Sequence, residues 1–476
     1  FKSFVSISSL SIGPATESEE MLTKLLNAGM NVMRLNFSHG DFAEHQVRVE
    51  NLRKSLKKTG LQAAILQDLG GPKIRIGNFK TESITLKKGQ TFTLTTEDIV
   101  GDESIVSVNY PLLPKEVKKD HIIFLHDGKK KLQVKDVKGS KVICEVLVGG
   151  DIKGRRGVNL PDSDLSIKSL TDKDLKDLEF GIKNKVDYIA LSFVRRPSDI
   201  IELREILNKR KCDAAIIAKI ETPQAIANID EIISLVDGIM IARGDLAIEV
   251  PYEKVPSYQK MMIKKCNEVG KPVITATQMM ESMIKSPVAT RAEISDVANA
   301  ILDGTDAVML SEETTLGDFP VEAVTVMRTI ALEVESNYPE RTIKRIMRGI
   351  GKNGGTKTAD SITSSVVKTA HDVGAKVIVA LTDSGFTARM ISRHRSNSHI
   401  LALTPNERTA NKLNLVFGCK TSVVPRYKTL EDVFKIVKER CVTLKLAKKG
   451  DEVVIVAGVP FNTKGLSTNM ILIQKI

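Results

Sequence analysis

The chain has 476 residues, 42% hydrophobic and 27% charged, a balance that excludes a mainly disordered polymer and provides for more than one hydrophobic core. No apolar run approaches the ~20 residues that a membrane-spanning helix requires, which excludes such a helix. The net charge is +12, from 70 Lys and Arg against 58 Asp and Glu, and it suits a lysine-rich solvated surface or the attraction of phosphates.

Short β-like runs recur along the first two thirds of the chain. They are Phe4–Ser8, Asn31–Phe37, Ala63–Leu69, Asp187–Phe193, Ala214–Glu221, Gly238–Arg243, Pro272–Thr277 and Ala307–Ser311. Amphipathic helical stretches lie between most of them. Ser18–Ala28 places Leu22, Leu25 and Leu26 on one stripe, Asp172–Lys183 follows Thr171 as an N-cap, and Glu253–Val269 and Ser295–Leu302 read the same way. Serial strand–helix units of this kind predict a (β/α)8 TIM barrel, an α/β fold.

The rhythm breaks between Leu69 and Asp187, with 117 residues between them. Alternating segments fill the gap: Gln90–Leu94, Ser104–Asn109, His121–Leu125, Lys131–Lys135 and Lys141–Leu147. Turn signals separate them, Gly149–Gly150 among them. We expect an inserted all-β cap domain over 77–169, with the barrel formed by 1–76 and 170–340. Beyond it, strand runs at Lys376–Leu381, Ile400–Leu403, Thr421–Val424, Glu452–Val456 and Met470–Ile476 alternate with helical stretches Ala359–His371, Thr387–His394 and Leu430–Ala447. This predicts a C-terminal doubly wound α/β domain over 341–476. The Gly- and Lys-rich segment Gly349–Lys357 reads as a linker. Its G-x-G-x-x-G letters follow no strand, so a dinucleotide fingerprint is rejected.

Five scattered cysteines without CxxC spacing fit reduced thiols and a cytoplasmic location, and argue against a disulfide framework or a zinc site. The chain opens on Phe1, so a missing leader is uninformative. Trp is absent and aromatics are 4%, which weakens a nucleic-acid reading.

In a barrel the active site gathers at the C-terminal ends of the strands. Those ends carry Arg34, Asn36, Ser38 and His39; Asp68; Ser192, Arg195 and Arg196; Lys219 and Glu221; Arg243, Gly244 and Asp245; Thr277; and Ser311, Glu312 and Glu313. Lys219 and Glu221 are two apart on one strand and so share its inner face. Buried there, they need partners. Mg2+ held by Glu221 and Asp245 supplies one, because it tolerates two carboxylates and completes its shell with water and substrate oxygens. Lys219 then neutralises a substrate phosphate or an oxyanion, and Arg34 is a phosphate fork. Gly244 allows backbone N–H groups to approach an anion. The set describes a small phosphorylated carboxylate on Mg2+.

The segments SIGPATESEEMLTKLLNAGMNVMRLNFSHGD, GPKIRIG, GVNLP, AKIETPQAIANIDEI, DGIMIARGDLAIEVP, KPVITATQMMESMI, TRAEISDVANAILDGTDAVMLSEET and GDFPVEAV closely resemble the pyruvate kinase family, in order from Ile12 to Val324. The last third resembles it more loosely through VIVALTDSGFTARMISRHR. The resemblance implies phosphoryl transfer from phosphoenolpyruvate to ADP, giving pyruvate and ATP. It implies Glu221 and Asp245 as Mg2+ ligands and Lys219 as stabiliser of the transferring group and the enolate. Arg34 and Ser192 would sit at the phosphate, and Thr277 with the backbone of Gly244 and Asp245 at the substrate carboxylate. Asn36, His39, Arg75 and Arg156 would line the nucleotide side, with Asp127 on the closing cap. A homotetramer, a phosphorylated effector in the C-terminal domain, and no membrane or nucleic-acid partner are also implied.

Departures from the family pattern sharpen these expectations. Residues matching a monovalent-cation site are present: Asn36, Ser38, Asp68 and the carbonyl of Leu69. Lys73, however, stands where K+-dependent members carry Glu, so K+ is expected not to be required. Thr382–Ala388 reads TDSGFTA, with Asp383 and Phe386 replacing the basic residues of sugar-bisphosphate-activated members. Weak or absent activation by fructose 1,6-bisphosphate follows. His126, Asp162, Glu312 and Leu316 also depart from the usual residues. A Mg2+-dependent aldolase and a non-catalytic binding protein are the rival readings, and neither needs the long shared motifs.

Overall fold

A computed structural model describes residues 6–336, 357–461 and 468–476. Eight parallel strands close into a barrel: Ile7–Ser11, Met30–Asn36, Ala64–Asp68, Tyr188–Leu191, Ala215–Ile220, Gly238–Ala242, Val273–Ala276 and Ala307–Leu310. Each pairs with its neighbours in sequence, and the first closes on the eighth through Ile7–Ala307 and Leu10–Leu310. The first strand lies three residues further along than the sequence pattern indicated. Ser9, Leu10 and Ser11 are fully strand, and Phe4 falls outside the described residues. The Gly349–Lys357 linker and its rejected fingerprint also lie outside them, except Lys357, which opens a helix.

The helices form where caps and apolar stripes coincide. Ser18 accepts from the Met21 N–H to start Glu19–Ala28, whose Leu22, Leu25 and Leu26 are buried. Thr171 and Asp174 make a reciprocal capping box before Asp172–Lys183. The stretch expected to start at Ser295 begins earlier, at Arg291, because Thr290 and Glu293 form another such box. The stretch expected from Glu253 is a 3-10 turn, Tyr252–Lys254, followed by the helix Val255–Val269.

Inside the barrel, Ala64, Leu66, Ala190, Ala215, Ile217, Met240, Ile274 and Met309 pack as one cluster, joined by Leu415 of the C-terminal domain. Leu415 is fully buried, so that domain plugs the N-terminal floor of the barrel. The cap has its own core of Phe92, Leu94, Ile123, Leu125, Leu132, Val134 and others. Its main sheet has six strands. Besides this, Gly150–Lys153 pairs antiparallel with Ser83–Leu86. The Gly149–Gly150 turn signal therefore marks the entry to a strand, where Gly150 takes φ +111.

In the C-terminal domain the sheet order is Cys419–Val423, His399–Thr404, Val377–Leu381, Glu452–Ala457, Met470–Lys475, with only the last strand antiparallel. Ile378 and Ala380 face one core while Val377, Val379 and Leu381 face another, so both faces of the sheet are covered. No helix among the described residues is long and apolar enough to cross a membrane.

Candidate active site

The strand alternation that buries Ala215 and Ile217 inside the barrel carries Lys219 to the same interior at its C-terminal end. Its ammonium lies 2.7 Å from Ser192 Oγ, 3.0 Å from Glu221 Oε1 and 3.4 Å from Asp68 Oδ1. Arg34, from the second strand, donates through Nε to Asp68 Oδ2 at 2.7 Å and through Nη1 to Ser11 Oγ. Ser192 donates to the carbonyl of Leu69 at 2.7 Å. Four strands thus bring Arg34, Asp68, Ser192 and Lys219 into one hydrogen-bonded group.

Burial works against charge on Asp68, but Lys219 and Arg34 hold its carboxyl below the usual range. Burial likewise works against the Lys219 ammonium, and Asp68 and Glu221 overcome it, so the lysine stays charged. Glu221 behaves differently. Burial and the nearby Asp245 push it up more than Lys219 pulls it down. Glu221 Oε2 accepts from the Phe193 N–H at 2.7 Å. To aim that N–H, Phe193 takes φ +53, a conformation costing an L-residue about 1–2 kcal/mol. Glu221 Oε1 is paired with Lys219 by charge but takes no aligned hydrogen bond, and it is fully buried.

Asp245 sits in the first turn of the helix Arg243–Glu249, and among the described residues its carboxylate has no hydrogen bond or ion pair. Glu221 is buried with one orphaned oxygen, and the neighbouring Asp245 raises its proton affinity; together the two carboxylates fit a divalent cation. A pair of carboxylates and no nitrogen or sulfur donor suits Mg2+, a hard ion that takes few protein ligands, better than zinc.

The N–H of Gly244 donates to Thr277 Oγ1 at 2.7 Å, and Thr277 has φ +70. A Cβ at Gly244 would meet Thr277 Oγ1 at 3.4 Å, an ordinary contact. This N–H is committed to Thr277. Arg243 turns away from the site to the Thr277 carbonyl and to Asp296, each within 2.8 Å.

The expected nucleotide residues form two separate groups. Asn36 Oδ1 accepts from the Ser38 N–H, and His39 is exposed beyond it. Arg75 bridges to Gly157 at the base of the cap, next to Arg156, whose buried Nε has no partner. No hydrogen bond or ion pair among the described residues joins the two groups. Lys73 runs beside Gly157, and its ammonium makes no ion pair there. Of the four cation-site residues, Asp68 and Leu69 are tied to Ser192, and Asn36 to Ser38. Among the described residues no hydrogen bond or ion pair joins Lys73 to any of them.

Sequence reasoning missed Ser11, which steadies Arg34, and the pair Asn159–Glu249. Asn159 of the cap donates to Glu249 Oε1 at 2.8 Å. Burial pushes Glu249 up to about 7. Neither partner belongs to a local pattern; only the domain contact brings them together.

Residues 5–324 match the family model "Pyruvate kinase, barrel domain", and 360–474 match "Pyruvate kinase, alpha/beta domain". The chain is 46% identical over 467 residues to a pyruvate kinase of Staphylococcus epidermidis, covering 98% of this chain and 79% of that protein. It is 47% identical over 468 residues to one of Staphylococcus saprophyticus, with the same coverage. A crystal structure of a pyruvate kinase from Cryptosporidium parvum superposes with a TM-score of 0.93 at 38% identity, covering 99% of this chain and 96% of that one. The barrel, the charged group at its rim and these matches together place the chain in the pyruvate kinase family, a family of phosphotransferases.

Proposed function

We propose that this site moves the phosphoryl group of phosphoenolpyruvate to ADP, yielding pyruvate and ATP. The observation that carries the reading is the Lys219 ammonium held among Asp68, Ser192 and Glu221, beside the unpaired Asp245. Glu221 and Asp245 would hold Mg2+, which when bound neutralises charge on phosphate and enolate oxygens.

The protein's own groups do the positioning. Arg34, braced by Asp68 and Ser11, offers its remaining N–H groups to the phosphate. Lys219 stays protonated and stabilises charge on the transferring group and on the enolate oxygen left behind. Thr277 and the N–H of Asp245 face the substrate carboxylate. Asn36, His39, Arg75 and Arg156 receive the nucleotide when the cap closes, and closure keeps water from intercepting the phosphoryl group.

Two refinements concern this chain's departures. The free ammonium of Lys73 would replace the charge that K+ supplies in other members, so K+ is not required. Asp383 in the Thr382–Ala388 loop repels phosphate, so fructose 1,6-bisphosphate activates weakly or not at all. The resemblance further supports a homotetramer working in the cytoplasm. Pyruvate formation from phosphoenolpyruvate, ADP and Mg2+, with and without K+ at equal ionic strength, tests the reaction and the first refinement together.

A further inference from the structure

The chain leaves the barrel after its third strand, which ends at Asp68, and returns to it at Thr171, the N-cap of the helix Asp172–Lys183. The two connections to the cap converge on two residues. One is Asp174, buried in the first turn of that helix. Its Oδ1 accepts from the Gly71 N–H at 3.1 Å on the outgoing side. Its Oδ2 accepts from the N–H and the hydroxyl of Thr171 on the returning side, at 2.9 and 2.6 Å. The other is Phe193, just past the fourth strand, Tyr188–Leu191.

Phe193 is held at both polar groups of its backbone. Its N–H donates to Glu221 Oε2 at 2.7 Å. Its carbonyl accepts from Ser169 Oγ, on the returning connection, and from Arg195 Nη1, both at 3.2 Å. Its ring closes on the outgoing connection. There Gly71 has φ +67, and a Cβ on it would meet the Phe193 ring and the Ser192 Cβ, each at 2.9 Å, closer than real side chains approach. The φ of +53 at Phe193 persists because these surroundings over-determine it. A shift of either connection therefore turns the peptide that faces Glu221.

We propose that Phe193 is a positioning residue that ties both cap connections to Glu221, with Ser169 as its anchor on the returning side. The inference rests on the reading of Glu221 as a Mg2+ ligand. The Phe193 N–H occupies Oε2 and fixes the orientation of the carboxylate, and Oε1, which takes no aligned hydrogen bond, remains for the cation. Ser169 is no ligand and acts on Glu221 through the Phe193 peptide. The coupling is reciprocal: connections that hold Phe193 in place raise the affinity for the cation, and a cation on Glu221 steadies the connections.

Mn2+ in place of Mg2+ reports binding directly through its electron paramagnetic resonance, on the full chain and without turnover. Ser169→Ala deletes one hydrogen bond and should weaken Mn2+ binding about three- to tenfold. Gln224→Ala removes a different bond between barrel and cap, from Gln224 Nε2 to the Ser163 carbonyl at 3.2 Å. It bypasses Phe193 and should leave the affinity within about twofold. Hydrogen exchange supplies the reciprocal readout: Mg2+ should slow exchange over residues 69–77 and 165–171 in the wild type, and less so in Ser169→Ala. Wild-type affinity in Ser169→Ala, equal weakening by Ser169→Ala and Gln224→Ala, or exchange in the wild type that ignores Mg2+ overturns the role of Phe193 and leaves Glu221 as a ligand. Unchanged Mn2+ affinity in Glu221→Gln removes the Mg2+ reading itself, and this inference with it.

Discussion

Asn159 of the cap donates to Glu249 of the barrel at 2.8 Å, at the far end of the helix whose first turn presents Asp245. Gly128 of the cap lies against Ile248, beside the same contact. The cap thus grips the short helix that carries one of the proposed Mg2+ ligands. The proposed closing of the cap would act on that helix through these contacts.

Burial raises Glu249 to about 7, above the ordinary carboxylate value of 4.5. The folded state therefore binds more protons than the unfolded one between those limits. Stability from this group is fully present below about 4.5 and is lost as pH rises through about 7. Glu249→Gln keeps the acceptor and removes the titration. We expect the variant to gain on the order of 1–2 kcal/mol relative to wild type at pH 8 and nothing at pH 4.5, allowing for solvent screening. Urea denaturation at the two pH values measures this, and an equal difference at both would show that Glu249 does not titrate in that window.

Lys219 has two duties, and its loss should appear in both. Lys219→Met removes the charge facing the reacting phosphoryl group, and kcat should fall by at least ~10²–10³-fold. It also leaves Asp68 and Glu221 buried with less compensation, a loss of about 3–5 kcal/mol in stability. Mg2+ should recover part of that stability through Glu221 and Asp245. Thermal unfolding with and without Mg2+ separates the effects; a stable variant with unchanged kcat would remove Lys219 from the mechanism.

The ammonium of Lys73 has no ion pair among the described residues, whereas the Asp68 carboxylate is already shared between Arg34 and Lys219. We expect equal kcat in K+ and in a tetraalkylammonium salt of the same ionic strength. Lys73→Glu should lower activity at least about tenfold without K+ and restore it with K+, since the exchange returns the charge requirement to the cation. A wild-type enzyme strongly stimulated by K+ would exclude this role.

Asp383 is exposed and lies 3.4 Å from Arg426, so that cation beside the loop is partly neutralised. Fructose 1,6-bisphosphate should shift the half-saturating phosphoenolpyruvate concentration by less than about twofold. Asp383→Lys should increase that response. A large shift in the wild type would mean that the loop's hydroxyls suffice to bind it.

What could be read from the sequence followed the local order of the chain. Lys219 and Glu221 were legible because strand geometry alone puts residues two apart on one face. Asp245 and Thr277 were legible because barrel strands deliver their last residues to one rim. The first strand was misplaced because Phe4–Ser8 is more apolar than Ile7–Ser11, and only pairing with Ala307–Leu310 decides the register. Gly150 was read as a turn because its strand partner, Leu86, is distant in sequence. The Asn159–Glu249 contact and the plug formed by Leu415 both arise between domains. No periodicity records such contacts, so they emerge only from the assembled fold.

The central claim is that the rim group couples phosphoenolpyruvate to ADP on Mg2+. The most direct measurement follows pyruvate and ATP together as Mg2+ is titrated, with wild type and Glu221→Gln in parallel. The account predicts equimolar pyruvate and ATP, none without a divalent cation, and a loss of at least ~10²-fold in the variant. Pyruvate released without ATP, or full activity of Glu221→Gln, would contradict it.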